Sequence, residues 1–451
     1  MDADAHPTLR RGLQRRHMEM IAFGGVIGAG LFVGSGVVVQ SAGPAAVLSF
    51  ALTGTLVVLV MRMLAEMAAA YPAVGGFYEY NRLALGRLAG FLTGWMYWYF
   101  WVIVVALEAV AGARLLIYWF PAAPPWLMTL ALVIGFSLLN LLSVRSWGET
   151  EFWFASIKVV AIVVFLCVGA AYIAGAWPAA AGGLANLTQH GGFMPNGLGP
   201  VLSGAVAATG FYFGAELVTV AAAESAAPEE AVAAATQSVI VRVLVFYVGS
   251  LFVVVTLLPW NSGAMAQPYV GALEQLRIPG ANHIMNAVIL TAVLSALNSG
   301  LFASSRMLMA LARRGDAPRA LATLSARGVP RRAILTGTVF GYAAVVMNYV
   351  SPEHVFAFLV NSYGTVAIFV YVLIALAQLR LRRRLEREQP ERLRVRMWGY
   401  PYLTRIAVFA MLGIVAAMAF IPEQRLPLLF GVASTVVMLL GYLARVRLGG
   451  D

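Results

Sequence analysis

The feature that most constrains this chain is a succession of apolar runs, each long enough to cross a bilayer. A membrane-spanning helix needs about 20 consecutive apolar residues. Roughly twelve stretches meet that requirement, at 18–40, 44–65, 88–118, 126–144, 152–175, 203–224, 238–259, 283–311, 333–350, 354–379, 402–421 and 426–445. Only 11% of the 451 residues are charged while 61% are hydrophobic, against the roughly 25% charged residues of a soluble domain. Such a chain cannot cover its own surface in water. The expected class is an all-α polytopic membrane protein with about 12 transmembrane helices.

Charge placement gives orientation. The formal net charge of +11 does not point to nucleic acid, because the arginines form no basic face interleaved with aromatics. They lie in short runs between apolar segments: "LRRGLQRRH", "ARRGDAPRALATLSARGVPRRA", "RLRRRLEREQPERLRVRMWGYP" and "RVRLGGD". The alternate loops are almost free of cations, and residues 159–241 contain none. The positive-inside rule then places both termini in the cytoplasm, as an even number of spans requires. The first apolar segment lacks a small-residue cleavage site and reads as a retained span. The single cysteine, Cys167, excludes an intrachain disulfide. The histidines His6, His17, His190, His283 and His354 have no carboxylates at metal-ligand spacing, and no HExxH appears, so no metal, cofactor or enzymatic chemistry is expected.

Two spans carry internal interruptions. The first reads "MIAFGGVIGAGLFVGSG" and the sixth "SGAVAATGFYFGAELVTVAAAES". Glycine costs about 1 kcal/mol relative to alanine inside a helix, so the first is weakest between Ile27 and Leu31. Glycines four apart also allow helices to pack closely. Interrupted spans at matching positions of two five-helix repeats, however, point to an inverted-repeat transporter with a binding site at mid-membrane. At such breaks the N–H groups of Gly28, Ala29 and Gly30, flanked by Val26 and Ile27, can hold a carboxylate. Carbonyls around Gly210, Phe211, Tyr212, Phe213 and Gly214 can hold an ammonium. A small zwitterion asks for both. "GVIGAG" superficially matches a dinucleotide fingerprint but has no preceding strand.

Ionisable groups inside spans are the other candidates. Lys158 is the one lysine among 31 cationic residues. It lies about two turns into its helix and could snorkel partway to the surface, but arginine serves that purpose equally. Lysine can give up its proton when desolvated and arginine cannot, so Lys158 is expected to couple transport to protons. Glu108, in mid-span, faces a substrate ammonium, shares a proton or closes a structural hydrogen bond. Glu216, two residues beyond Gly214, either braces the unwound segment or gates the substrate. Arg306 is an anchor or gate element near a helix end.

The segments "RHMEMIAFGGVIGAGLFVGSG" with the following "AGP", and "MRMLAEMA", "LLSVRSWGETEFW", "GGFMPNG", "GAELVTVAAAES", "LNSGLFASSRML", "RRGDAP" and "RMWGYP", resemble bacterial amino acid permeases of the amino acid–polyamine–organocation superfamily, GABA (4-aminobutyrate) permeases in particular. The likeness runs from about Leu13 to about Phe420. It implies a LeuT-type fold of 5+5 inverted repeats plus two peripheral helices: a cytoplasmic N-terminus 1–17, a transport core 18–379, a basic cytoplasmic loop 380–401, and peripheral helices with a cytoplasmic C-terminus over 402–451. It implies import of GABA or a related ω-amino acid by proton symport with alternating access, across a bacterial inner membrane. Substrate binding would fall to Val26, Ile27, Gly28, Ala29, Gly30, Gly210, Phe211, Tyr212, Phe213, Gly214 and Glu216. Proton coupling would fall to Lys158, standing where sodium-coupled relatives bind sodium, and to Glu108. Many such permeases have threonine where this chain has Ala29, which removes a hydroxyl but leaves the backbone contacts. An α-amino acid permease or an exchanger of the same fold are the alternatives.

Overall fold

Once spanning segments must satisfy their backbone internally, helix is the available structure for a chain of this composition, and helices dominate the computed structural model. It describes residues 13–24, 27–28, 30–71, 76–177, 184–221, 239–363 and 365–447. Ten helices among these are long and apolar enough to cross a bilayer. The difference from the expected twelve is one of continuity. Spans one and two run together as Gly30–Ala70, because the corner at Gly43–Ala45 is a single tight 3-10 turn. Gly43 has φ +69°, and a Cβ there would lie 2.5 Å from the Pro195 ring, so this corner requires glycine. The tenth span is divided into Val355–Tyr363 and Val366–Glu388.

Numbered in chain order, α1 is Arg15–Gly24, α2 Ser35–Ala42, α3 Ala46–Ala70, α4 Phe77–Leu85, α5 Arg87–Leu116, α6 Pro125–Leu142, α7 Val144–Ile173, α8 Leu198–Tyr212 and α9 Leu217–Ala221. There follow α10 Ser250–Leu257, α11 Pro268–Gln275, α12 Ala281–Arg313, α13 Arg331–Val350, α14 Val355–Tyr363, α15 Val366–Glu388, α16 Tyr402–Phe420 and α17 Pro422–Arg447. In α5 and in α12, 72% of the most apolar window is buried, whereas in α17 the figure is 6%. The first two therefore form the centre and α17 the periphery.

Close packing between helices rests on small residues, since lipid supplies no hydrophobic drive for association. A Cβ on Gly300 of α12 would lie 2.8 Å from Val105 of α5, and one on Gly204 of α8 would lie 2.7 Å from Val38. Hydroxyls add direct links: Ser49 and Thr53 of α3 donate to the carbonyls of Val201 and Ala205 on α8, each at 2.7 Å.

At the end of the bundle that carries the arginine-rich loops, two buried acids gather cations. Asp316 accepts from Tyr78 Oη at 2.8 Å, Arg82 at 2.7 Å and Arg445 at 2.6 Å, joining α4 and the last turn of α17 to the end of α12. Glu66 of α3 accepts from Gln378 at 2.7 Å and from Arg382 on α15. A buried acid demands partners of this kind, because an unpaired one costs several kcal/mol.

Candidate functional site

The helix expected over 18–40 stops at Gly24 and resumes at Gly30 as one wide turn of π geometry, Gly30–Gly34, that continues into α2. The first N–H groups of a restarted helix have no partner within it. The helix of the sixth span stops at Tyr212, because Phe213 is extended (φ −67°, ψ 139°), and restarts at Leu217. Gly214 between them has φ +113°, a conformation that favours glycine.

The two interruptions face one another across a cavity of about 60 Å³ lined by Gly28, Gly30, Glu108, Gly210, Phe211 and Phe213, with Trp101 and Ala296 among its other walls. At roughly 30 Å³ per water, that is space for about two waters, a small cavity. Phe211 forms the wall toward α2. A Cβ on Gly30 would lie 2.5 Å from its ring and one on Gly34 2.6 Å from its tip, and the ring stacks on Phe50 at 6.1 Å. The glycines of the first span thus make room for an aromatic of the sixth. Among the described residues, nothing lies within 4 Å of where a Cβ on Gly210 would stand.

Glu108 enters from α5. Its Oε1 lies 3.8 Å from the position of a Cβ on Gly28, and its Oε2 is buried with no hydrogen-bond partner among the described residues. The cavity therefore holds an acceptor whose demand a ligand donor would meet.

Lys158, 1% exposed, reaches from α7 behind the first break. Its Nζ donates to the carbonyl of Ile27 at 3.1 Å and to Ser295 Oγ of α12 at 2.8 Å. One ammonium thereby ties the unwound stretch of the first span to α7 and α12, and a charged donor makes such bonds roughly twice as strong as a neutral one. Ser295 Oγ in turn donates to Glu151 Oε1. Neither Ser295 nor Glu151 was expected as a site residue.

The remaining candidates lie outside the cavity wall. Tyr212 turns toward α3, donating to the Phe50 carbonyl at 2.9 Å and stacking on Tyr247 at 4.2 Å. Glu216 accepts the Gly214 N–H at 3.1 Å and Tyr371 Oη of α15 at 2.9 Å, so its carboxylate braces the unwound segment from behind. Arg306 lies over the Phe302 ring at 4.0 Å, within α12. Val26 and Ala29 lie outside the described residues.

Comparison with known proteins agrees with this arrangement. The amino acid permease family profile matches residues 17–448. A gamma-aminobutyric acid permease of Bacillus subtilis is 51% identical over 96% of this chain and 93% of its own length. The gamma-aminobutyric acid permease of Escherichia coli is 45% identical over 96% and 93%, and an aromatic amino acid transport protein of Corynebacterium glutamicum is 41% identical over 92% and 91%. Among solved structures, the Eremococcus coleocola manganese transporter superposes with a TM-score of 0.58 over 97% of both chains at 12% identity, a likeness of fold. With two interrupted helices around a central cavity in a LeuT-type bundle, and a family match over nearly its whole length, the chain belongs to the amino acid permease family and is a multi-pass amino acid transporter.

Proposed function

We propose that the protein imports GABA or a related ω-amino acid by proton symport across a bacterial inner membrane, with both termini in the cytoplasm. The observation that carries the proposal is the placement of Lys158, whose Nζ bonds the broken first span at Ile27 and α12 at Ser295. Charged, it holds the first span against the scaffold; neutral, it holds it less. A proton on this one group can therefore bias the position of a helix that lines the substrate cavity.

The substrate carboxylate binds the N–H groups at the Gly28–Gly30 break, where a helix start favours negative charge. The substrate ammonium binds Glu108, supported by the carbonyls of the Gly210–Gly214 segment, and Phe211 closes over it. The small cavity supports a compact substrate, the unsatisfied Oε2 of Glu108 supports one that brings a donor such as an ammonium, and relatives named as GABA permeases support GABA. Spans 1, 2, 6 and 7 rock against 3, 4, 8 and 9 to open the cavity to each side in turn. Residues 18–379 form the transport unit, and the two helices of 402–451 stand outside it.

Purified protein in sodium-free proteoliposomes, given an inward proton gradient, tests the reading. Labelled GABA should accumulate, and excess phenylalanine or proline should not compete. Accumulation of an α-amino acid with no effect of GABA would overturn the substrate assignment, and flux that needs internal substrate would make the protein an exchanger.

A further inference from the structure

A second buried acid stands behind the proposed coupling lysine. Glu151 is fully buried and lies seven residues before Lys158 on α7, about 10 Å along the axis at 1.5 Å per residue. Seven residues nearly complete two turns, so both side chains leave the same face of the helix. The gap between them is filled by one hydroxyl of α12: Lys158 Nζ donates to Ser295 Oγ at 2.8 Å, and Ser295 Oγ donates to Glu151 Oε1. The donors are ordered in one direction, from ammonium through hydroxyl to carboxylate.

The carboxylate is itself aimed. Asn298 Nδ2 donates to Glu151 Oε2 at 3.3 Å, and Asn140 Nδ2 of α6 fixes the Asn298 amide through its Oδ1 at 3.1 Å. Trp147 Nε1 holds the Asn298 carbonyl at 3.2 Å, with its ring stacked 3.8 Å from Phe302. Three helices thus orient one acid so that its free edge meets the serine. On the other side of Lys158, Glu108 lines the substrate cavity.

We propose that Ser295 and Glu151 form the path by which the proton leaves Lys158. This deepens the proton-symport reading and rests on it. In the transfer the Nζ–H bond of Lys158 breaks as that proton bonds to Ser295 Oγ, while the Oγ–H bond of Ser295 breaks as its proton bonds to Glu151 Oε1. The serine is unchanged in net composition, since a hydroxyl both accepts and donates. An ammonium–carboxylate pair becomes a neutral amine and a neutral carboxyl, with no net charge created in the apolar interior. The neutral amine is a weaker donor to the Ile27 carbonyl, so arrival of the proton at Glu151 loosens the first span in the same step. Glu151 lies nearer than Lys158 to the N-terminal end of α7, where Glu149 is 31% exposed in its side chain, and it delivers the proton toward that end.

The test compares two transport modes in sodium-free proteoliposomes. Counterflow exchanges labelled for unlabelled GABA and leaves the proton on the carrier; gradient-driven uptake requires its release. Glu151→Gln keeps the shape of the acid, and Ser295→Ala cuts the path with little change in volume. Glu151→Gln should retain counterflow and lose gradient-driven uptake by on the order of a hundredfold, the low end of what a proton-transfer group contributes. Ser295→Ala, which also removes a bond to Lys158, should lose gradient-driven uptake at least as far. Ser295→Thr, which restores the hydroxyl, should recover it. Wild-type gradient-driven uptake by Glu151→Gln or Ser295→Ala would overturn the path. So would loss of counterflow together with uptake in Glu151→Gln, which assigns that acid to bracing alone. Failure of the wild-type protein to accumulate GABA under a proton gradient, with counterflow intact, would instead overturn the symport reading itself.

Discussion

Replacing Lys158 by methionine keeps the length of the side chain and removes its charge, so it measures what the buried charges are worth to the fold. Three consequences follow from the geometry. The bonds from Nζ to Ile27 and Ser295 are lost. The Ser295 hydroxyl stays in place, and Glu151, fully buried, is left as an acid without its cation. Breaking a buried pair on one side costs about 3–5 kcal/mol, whereas replacing both partners by neutral groups of similar volume is close to neutral. Lys158→Met alone should therefore lower the apparent melting temperature in detergent by roughly 6–10 °C, taking about 2 °C per kcal/mol for a large domain. Lys158→Met with Glu151→Gln should recover most of that fall, because the Gln carbonyl can still accept from Ser295. Thermal unfolding followed by size-exclusion recovery measures both variants at one scan rate, since such unfolding is irreversible. A double variant less stable than Lys158→Met would refute the claim that these two charges are energetically paired.

Other expectations concern neighbouring parts of the molecule. Gly30→Val would drive a side chain into Phe211, whose ring already stands 2.5 Å from the Cβ position; substrate binding should be lost with insertion intact, and Gly30→Val combined with Phe211→Ala should recover part of it in a binding assay. Asp316→Asn weakens the contacts to Arg82 and Arg445. Because those arginines are about a quarter exposed, the cost should fall near the low end, about 3 kcal/mol, and limited proteolysis should cut more readily near the end of α17. His17 is buried at the start of α1, 3.2 Å from Glu149. Burial pushes its imidazole below the ordinary value, against the opposing pull of Glu149. The unfolded chain then binds the proton more readily, so stability is lost as pH falls through about 6.5. His17→Gln should flatten the decline of melting temperature between about pH 7 and 5.5.

The sequence carried the membrane class and the glycine-rich interruptions because both depend on local composition. Span continuity was less legible. The corner at Gly43–Ala45 is one 3-10 turn, and no polar gap announces whether two apolar runs are joined by a loop or by a corner. Glu151 escaped for a related reason: the fifth apolar run begins at Phe152, while its helix begins at Val144, which puts the preceding polar residues inside the bundle. The signal that would have found it is the seven-residue spacing to Lys158, which repeats a helix face. Ser295 carried no such signal, since Ser299, Ser304 and Ser305 share its helix and only the tertiary position of α7 distinguishes it. Glu216 could be read two ways from its place in the chain, and its bonds to Gly214 and Tyr371 depend on where α15 packs.

The most direct test of the central claim, that a proton carried on Lys158 moves with the substrate, is lumenal pH in proteoliposomes loaded with a pH-sensitive dye. Adding GABA outside, with no sodium and the membrane potential clamped, should acidify the lumen for the wild-type protein and leave it unchanged for Lys158→Ala. GABA entry without acidification in the wild type, or equal acidification in Lys158→Ala, would contradict the account.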